Sequence, residues 1–345
     1  MDRDHGRNTL MTETHVPPAV TPQPLAPVVE VHDLVKSYRV RGGHGLAVRA
    51  LDGVSLAVGG QSTYGLVGES GCGKTTLGRL LLRLERPDSG QISFDGQDWL
   101  AKRGERLRVA RKDIQAIFQD PLGSLDPRRT AGYAIGEALR AHGLAPGKHG
   151  RERRAAELLA QVGLAPEVAG RHPGELSGGQ RQRVTIARAI ALQPKFVVCD
   201  EATSALDVSV QAQIINLLID LQESLGVSYL FISHSLAAVR HVADRVGVMY
   251  LGRIVEEAPA RRIFTAPQHP YTSALLAAAP VPDPAVARKD LQARHLGGEV
   301  PSATSLPSGC RFRLRCPRAE PICAAEEPPL AELTDAHTVA CHFPG

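Results

Sequence analysis

The sequence lacks any apolar run approaching the roughly eighteen residues needed to cross a bilayer, so a membrane role has to come from docking rather than insertion. Its opening, MDRDHGRNTLMTETHVPPAVTPQPLAPVV, lacks the basic flank, apolar centre and cleavage site of a secretory signal. The chain is therefore expected to stay in the cytoplasm, where thiols are kept reduced, and its six cysteines are not expected to pair as disulfides. A strong field of one sign is also missing. Forty basic against 36 acidic residues leave only +4, and the arginines are spread too evenly to form a patch for nucleic acid. No internal repeat occurs. What remains is an ordinary globular balance, 43% hydrophobic and 22% charged, over 345 residues, enough for one large domain with an appendage or for two domains.

Residues 1–27, rich in Pro and Thr and without periodicity, read as a flexible leader. From Val28 the segments VVEVHDLVKSY, DGVSLAV, STYGLVG, QISFDGQDW and DIQAIF read as strands, with TTLGRLLLRL at helical spacing among them. Between about residues 120 and 192 the strand signals give way to helical periodicity. Strands return as KFVVCD, VSYLFISH and DRVGVMYL, with SVQAQIINLLIDLQESL as a long helix. This alternation predicts an α/β fold with a mainly parallel sheet, interrupted by an inserted helical subdomain. It divides the chain into a core at 28–258 and a Pro- and Ala-rich extension at 259–345 that ends in a cysteine-bearing tail.

GESGCGKT, Gly68 to Thr75, fits G-x-x-x-x-G-K-[ST] between a predicted strand and a predicted helix. Gly68, Gly71 and Gly73 let the backbone wrap close to phosphate and turn its N–H groups inward. Lys74 can neutralise β- and γ-phosphates, Thr75 can ligate magnesium, and Ser70, Cys72 and Thr76 complete the candidate ATP-binding loop. Downstream, FVVCDE ends a buried strand in Asp200, a candidate magnesium ligand, and Glu201, the candidate base for the attacking water. A second anion cradle stands at ELSGGQRQR, where Ser177, Gly178, Gly179 and Gln180 open an amphipathic run. It lies about a hundred residues further on and in the helical insertion. The simplest geometry has it serve a nucleotide held by another subunit, so that two chains arranged head to tail sandwich two ATP molecules.

These motifs, with the following SALD, resemble in their order the nucleotide-binding subunit of ABC transporters across residues 28 to 258, and the chain is identified as a P-loop NTPase of that type. The resemblance implies that Tyr38 stacks on adenine and that Gln119, in IFQDP, meets magnesium and the reacting water. It further implies that Asp207 couples the two sites and that His234 touches the γ-phosphate. Two departures occur: Ser235 stands where the family commonly has an aspartate, and EATSALD replaces an EPTSALD-like run. Neither removes a donor, a metal ligand or the candidate base, so a competent ATPase is expected.

FQDPLGSLDPR, PQHPYTSALLAAAPVPDP and the tail GEVPSATSLPSGCRFRLRCP resemble the oligopeptide/dipeptide permease branch, which includes nickel importers. That branch implies a second, different ATPase subunit, two transmembrane permease subunits, an extracytoplasmic binding protein, and a peripheral location on the cytoplasmic face of the plasma membrane. The SLDPR form points to the second of its two ATPase types. The alternatives are an importer of nickel or another small solute, a soluble ABC protein acting on ribosomes or DNA, and an iron–sulfur sensor. Soluble ABC proteins usually carry two fused cassettes or long coiled-coil arms, and neither is present here. Cys310, Cys316, Cys323 and Cys341, spaced C-x5-C-x6-C-x17-C, suggest a metal site. The Cys316-Pro317 pair suits an iron–sulfur cluster, and the C-x2-C knuckle common in zinc sites is absent. Similar tails in the branch imply a [4Fe–4S] cluster; zinc and a set of free thiols remain open. His337 and His342 stand near enough in sequence to substitute as ligands.

Overall fold

The computed structural model describes residues 26–40, 42, 46–204, 206–278, 301–334 and 336–345. The expected leader at 1–27 lies outside them apart from its last two residues.

The five-residue strands β3 (Thr63–Val67), β7 (Phe196–Asp200) and β8 (Ser228–Ile232) are almost continuously apolar and buried, as strands covered on both faces must be. With β6 (Ile114–Ile117) and β9 (Arg245–Tyr250) they form the parallel array β9-β3-β8-β7-β6. Alternation then sorts their side chains. Phe196, Val198, Leu230 and Ile232 enter one apolar cluster, and Val197, Cys199, Tyr229 and Phe231 enter another.

The first cluster is closed by α1 (Lys74–Leu81) and by a separate antiparallel sheet of β1 (Pro27–Arg39), β2 (Ala47–Gly59), β4 (Ser89–Phe94) and β5 (Gln97–Asp98), in order β2-β1-β4-β5. Leu77, Leu80 and Leu81 recur at the helical period and bury α1 between the two sheets. The sole tryptophan, Trp99, is fully buried, and its indole N–H donates to the Leu81 carbonyl at 2.8 Å, satisfying an acceptor in the last turn of α1.

The second cluster is covered by α6 (Val208–Leu225), α7 (Leu236–Val242) and the helical region predicted from sequence, with α3 (Ala131–Ala141), α4 (Gly147–Gln161) and α5 (Gly178–Ile190); the short α2 (Gly104–Ala110) precedes β6. Among the described residues no helix is long and apolar enough to cross a membrane.

After β9 the chain turns antiparallel through β10 (Arg253–Pro259), then forms α8 (Ala260–Thr265) and α9 (Pro270–Ala278). The tail returns to the same sheet: β12 (His337–Val339) pairs with β10, and β11 (Ala331–Thr334) pairs with β12. The cysteine-bearing tail is thus an antiparallel margin of the parallel sheet, stitched to it by backbone hydrogen bonds.

Candidate active site

Register brings the chemistry to one edge. Leu66 and Asp200 both stand opposite Ile232, and Ile117 stands opposite Cys199. The chain therefore leaves β3 at Gly68, β6 toward Gln119, β7 at Glu201 and β8 toward His234 on the same side, the carboxyl ends of parallel strands where open α/β sheets bind ligands.

The loop from Gly68 to Gly73 is shaped for an anion. A side chain at Gly73 (φ 114°) would meet the Ala50 carbonyl at 2.3 Å, so only glycine lets α1 begin there. Gly71 (φ 78°) has nothing within 4 Å of where a Cβ would stand, so that side of the loop is open. No side chain caps α1 and no acidic residue lies in its first turn, so its N-terminal N–H groups are left to a ligand. Lys74 is 5% exposed, and its ammonium donates to the carbonyls of Gly68 (2.8 Å) and Glu69 (2.9 Å), folded back along the loop. Burial pushes the Cys72 thiol up, against the pull of Lys74.

The Thr75 hydroxyl donates to Asp200 Oδ1 at 3.2 Å, so the two candidate magnesium ligands already face each other. Burial raises the Asp200 carboxyl, Thr75 opposes that, and the charge of Glu201 adds to it. Glu201 itself has φ 49°, a left-handed conformation uncommon for a residue with a side chain, held by its N–H on the Ile232 carbonyl at 2.9 Å. Its Oε2 lies 3.6 Å from Nδ1 of His234, a contact wider than a hydrogen bond. Ser235, the first departure, caps α7 by accepting the Ala238 N–H, a role serine fills as well as aspartate. Gln119 is exposed in the bend after β6. Tyr38 is half-buried beside α1, its hydroxyl bonded to Glu85 and Thr76; burial first, then Glu85, raises its pKa. Lys36 lies 5.5 Å over its ring.

The second cradle turns outward. Ser177 caps α5, accepting the Gln180 N–H at 3.2 Å while Gln180 Oε1 accepts the Ser177 N–H at 2.9 Å. Gly178 lies close to Leu206, and a Cβ on Gly179 would stand 2.7 Å from Val210, so the loop packs on the start of α6. Asp207 caps α6 and is held below the usual carboxylate range by the Ser209 hydroxyl and the Val210 N–H. Among the described residues no hydrogen bond joins Ser177–Gln180 to Gly68–Thr76.

In the tail, Cys310, Cys316, Cys323, Cys341 and His342 line one small cavity, and the Cys316 and Cys341 sulfurs accept the backbone N–H groups of Arg318 and Phe343 at 3.4 Å. Among the described residues, however, no group of three or more His, Cys, Asp or Glu side chains gathers as a metal ion requires. His337 is committed elsewhere, its Nε2 2.8 Å from the fully buried Glu256, and His342 Nε2 bonds the Glu326 carbonyl at 3.1 Å. Sequence reasoning missed three residues that touch the phosphate loop or brace it: Glu69, Tyr271 and Arg315. Tyr271 lies in HPYT, at the start of α9, but its burial and its hydroxyl contact with Glu69 carry no local sequence signal.

Residues 51–204 match the ABC transporter family, and residues 255–323 match the oligopeptide/dipeptide transporter C-terminal region. The chain is 51% identical over 319 residues to the "Probable peptide ABC transporter ATP-binding protein y4tS" of Sinorhizobium fredii, covering 91% of this chain and 89% of that one. It is 47% identical to the "Oligopeptide transport ATP-binding protein AppF" of Bacillus subtilis, covering 92% and 97%. Among solved structures it resembles the dimeric, post-hydrolysis ATP-binding cassette MJ0796 bound to ADP and Pi, with a TM-score of 0.60, 28% identity, and coverage of 68% of this chain and 99% of that one. With a phosphate loop, a paired Thr75 and Asp200 and an outward-facing second cradle on one α/β core, the chain belongs to the ATP-binding proteins of ABC transporters.

Proposed function

We propose that this chain is the ATP-hydrolysing subunit of a peptide importer, docked on the cytoplasmic face of the membrane. Its partners in this reading are a second ABC ATPase subunit of related but different sequence, two transmembrane permease subunits and, indirectly, an extracytoplasmic binding protein. The observation that carries the reading is the meeting of Thr75 and Asp200 at 3.2 Å beside Glu201 and the phosphate loop. The peptide cargo is supported by the names of the relatives and by the match of residues 255–323.

The loop N–H groups and Lys74 hold the triphosphate of the substrate, with Lys74 exchanging its loop carbonyls for phosphate oxygens. Thr75, Asp200 and Gln119 would hold magnesium, which neutralises charge on the β- and γ-phosphates when bound. Glu201 orients the attacking water and accepts its proton, and His234 contacts the γ-phosphate. Tyr38 stacks on adenine. Ser177 to Gln180 close over the nucleotide of the paired subunit, with Asp207 coupling the two sites, so that ATP binding becomes closure and hydrolysis reopens the pair. Glu201→Gln in the assembled transporter is expected to lower ATP turnover by about 10²–10⁴-fold while bound ATP is retained; undiminished turnover would show that the base is another residue.

The four tail cysteines are in this reading ligands of an iron–sulfur cluster. What supports it is that all four line one small cavity. The group would brace the tail. Anaerobically purified protein should carry iron and sulfide with a visible absorption; colourless, iron-free protein would end the idea.

A further inference from the structure

The tail reaches back to the phosphate loop. Arg315, between Cys310 and Cys316, has a side chain only 4% exposed, and its two terminal nitrogens take both carboxylate oxygens of Glu69 at 2.8 and 2.9 Å. The guanidinium lies 5.8 Å from the rings of Tyr250 and Phe312, and its Nη1 is 3.4 Å from the Tyr250 hydroxyl. Tyr271, fully buried, accepts the Glu69 N–H on its hydroxyl at 2.9 Å while its ring packs on Tyr250 (4.7 Å) and Phe312 (5.4 Å). Glu69 is thus gripped at backbone and side chain by two residues from beyond the ABC transporter match. Its own carbonyl accepts the Lys74 ammonium, so one residue links the grip to the lysine that meets phosphate. A partly buried bidentate pair adds geometric definition more than net stability.

We propose that Arg315 and Tyr271 are positioning residues for the nucleotide: they fix Glu69, and through it the curve of the loop from Gly68 to Gly73 and the starting place of Lys74. The C-terminal region is then part of the ATP site's scaffold and not only a marker of the branch. This rests on the ATP-binding reading above. An arginine that merely glued the tail down would lower the melting temperature of its variant without changing how the folded protein binds ATP.

The test is the Kd of the full-length chain for MgATP, a readout that does not depend on turnover, measured beside melting temperatures. Arg315→Gln and Glu69→Gln are each expected to raise the Kd about tenfold, the size of one lost charge-assisted hydrogen bond. The double variant should bind no more weakly than either single, because the pair acts as one unit. Tyr271→Phe, which keeps the ring packing and therefore folds, should raise the Kd about threefold. Wild-type affinity in folded Arg315→Gln and Tyr271→Phe would overturn the proposal, and so would a double variant whose loss is the product of the singles. A wild-type chain that binds MgATP while the assembled transporter hydrolyses none contradicts the ATPase reading and leaves this comparison readable; a wild-type chain that does not bind MgATP overturns both.

Discussion

At the scale of the residue, the site and its supports are set by what is buried against what. His269 is 1% exposed, and its Nδ1 accepts the Tyr271 N–H at 3.0 Å, so the ring must be neutral there. The backbone N–H of His269 goes to Glu256, and Phe312 packs 5.7 Å from the ring. Burial depresses the imidazole to about 4, with a bond to Ala340 acting the other way. The folded value lies below the unfolded value of about 6.5, so the unfolded chain takes up the proton first as pH falls. Stability is full above about pH 6.5 and is lost toward pH 4, by on the order of 3 kcal/mol for this residue. Urea unfolding between pH 7 and 4.5 should show that loss, and His269→Asn, whose oxygen can accept the same N–H without titrating, should remove that part of the slope. An identical slope in the variant would mean that His269 already titrates normally in the fold.

At the scale of the element, Ser177 serves two masters. It caps α5, and in the proposed function it meets phosphate in trans. Ser177→Ala should lower stability by about 1 kcal/mol through the lost cap, whereas Ser177→Asp should keep the melting temperature because aspartate caps as well. The same scale shows how far the sequence could be read. The phosphate loop, its following helix and the strand ending at Asp200 were legible because their chemistry lies within a few consecutive residues. The parallel core and the helical region followed from periodicity. The partition of strands into two sheets was not legible, since both kinds alternate in the same way. Nor was the grip of Arg315 on Glu69, made across 246 positions, because spacing says nothing about which distant carboxylate an arginine will find. The return of β12 onto β10 is illegible for the same reason. Left-handed Glu201 is a conformation that its side chain alone would not suggest.

At the scale of the whole molecule, the proposed function has one chain carry halves of two different ATP sites. Its phosphate loop lies at the carboxyl edge of the sheet, and its second cradle caps the exposed start of α5, to which that loop makes no hydrogen bond among the described residues. Tyr271 of α9 and Arg315 of the tail hold Glu69 of that loop. The central claim is that ATP is clamped between two subunits, each supplying what the other lacks. The most direct measurement is photolabelling with an azido-ATP under trapping conditions, in the assembled transporter carrying Ser177→Asp on this chain alone. The account predicts that the paired ATPase subunit loses its trapped label while this chain keeps its own. Loss of label from this chain, with the paired subunit still labelled, would contradict it.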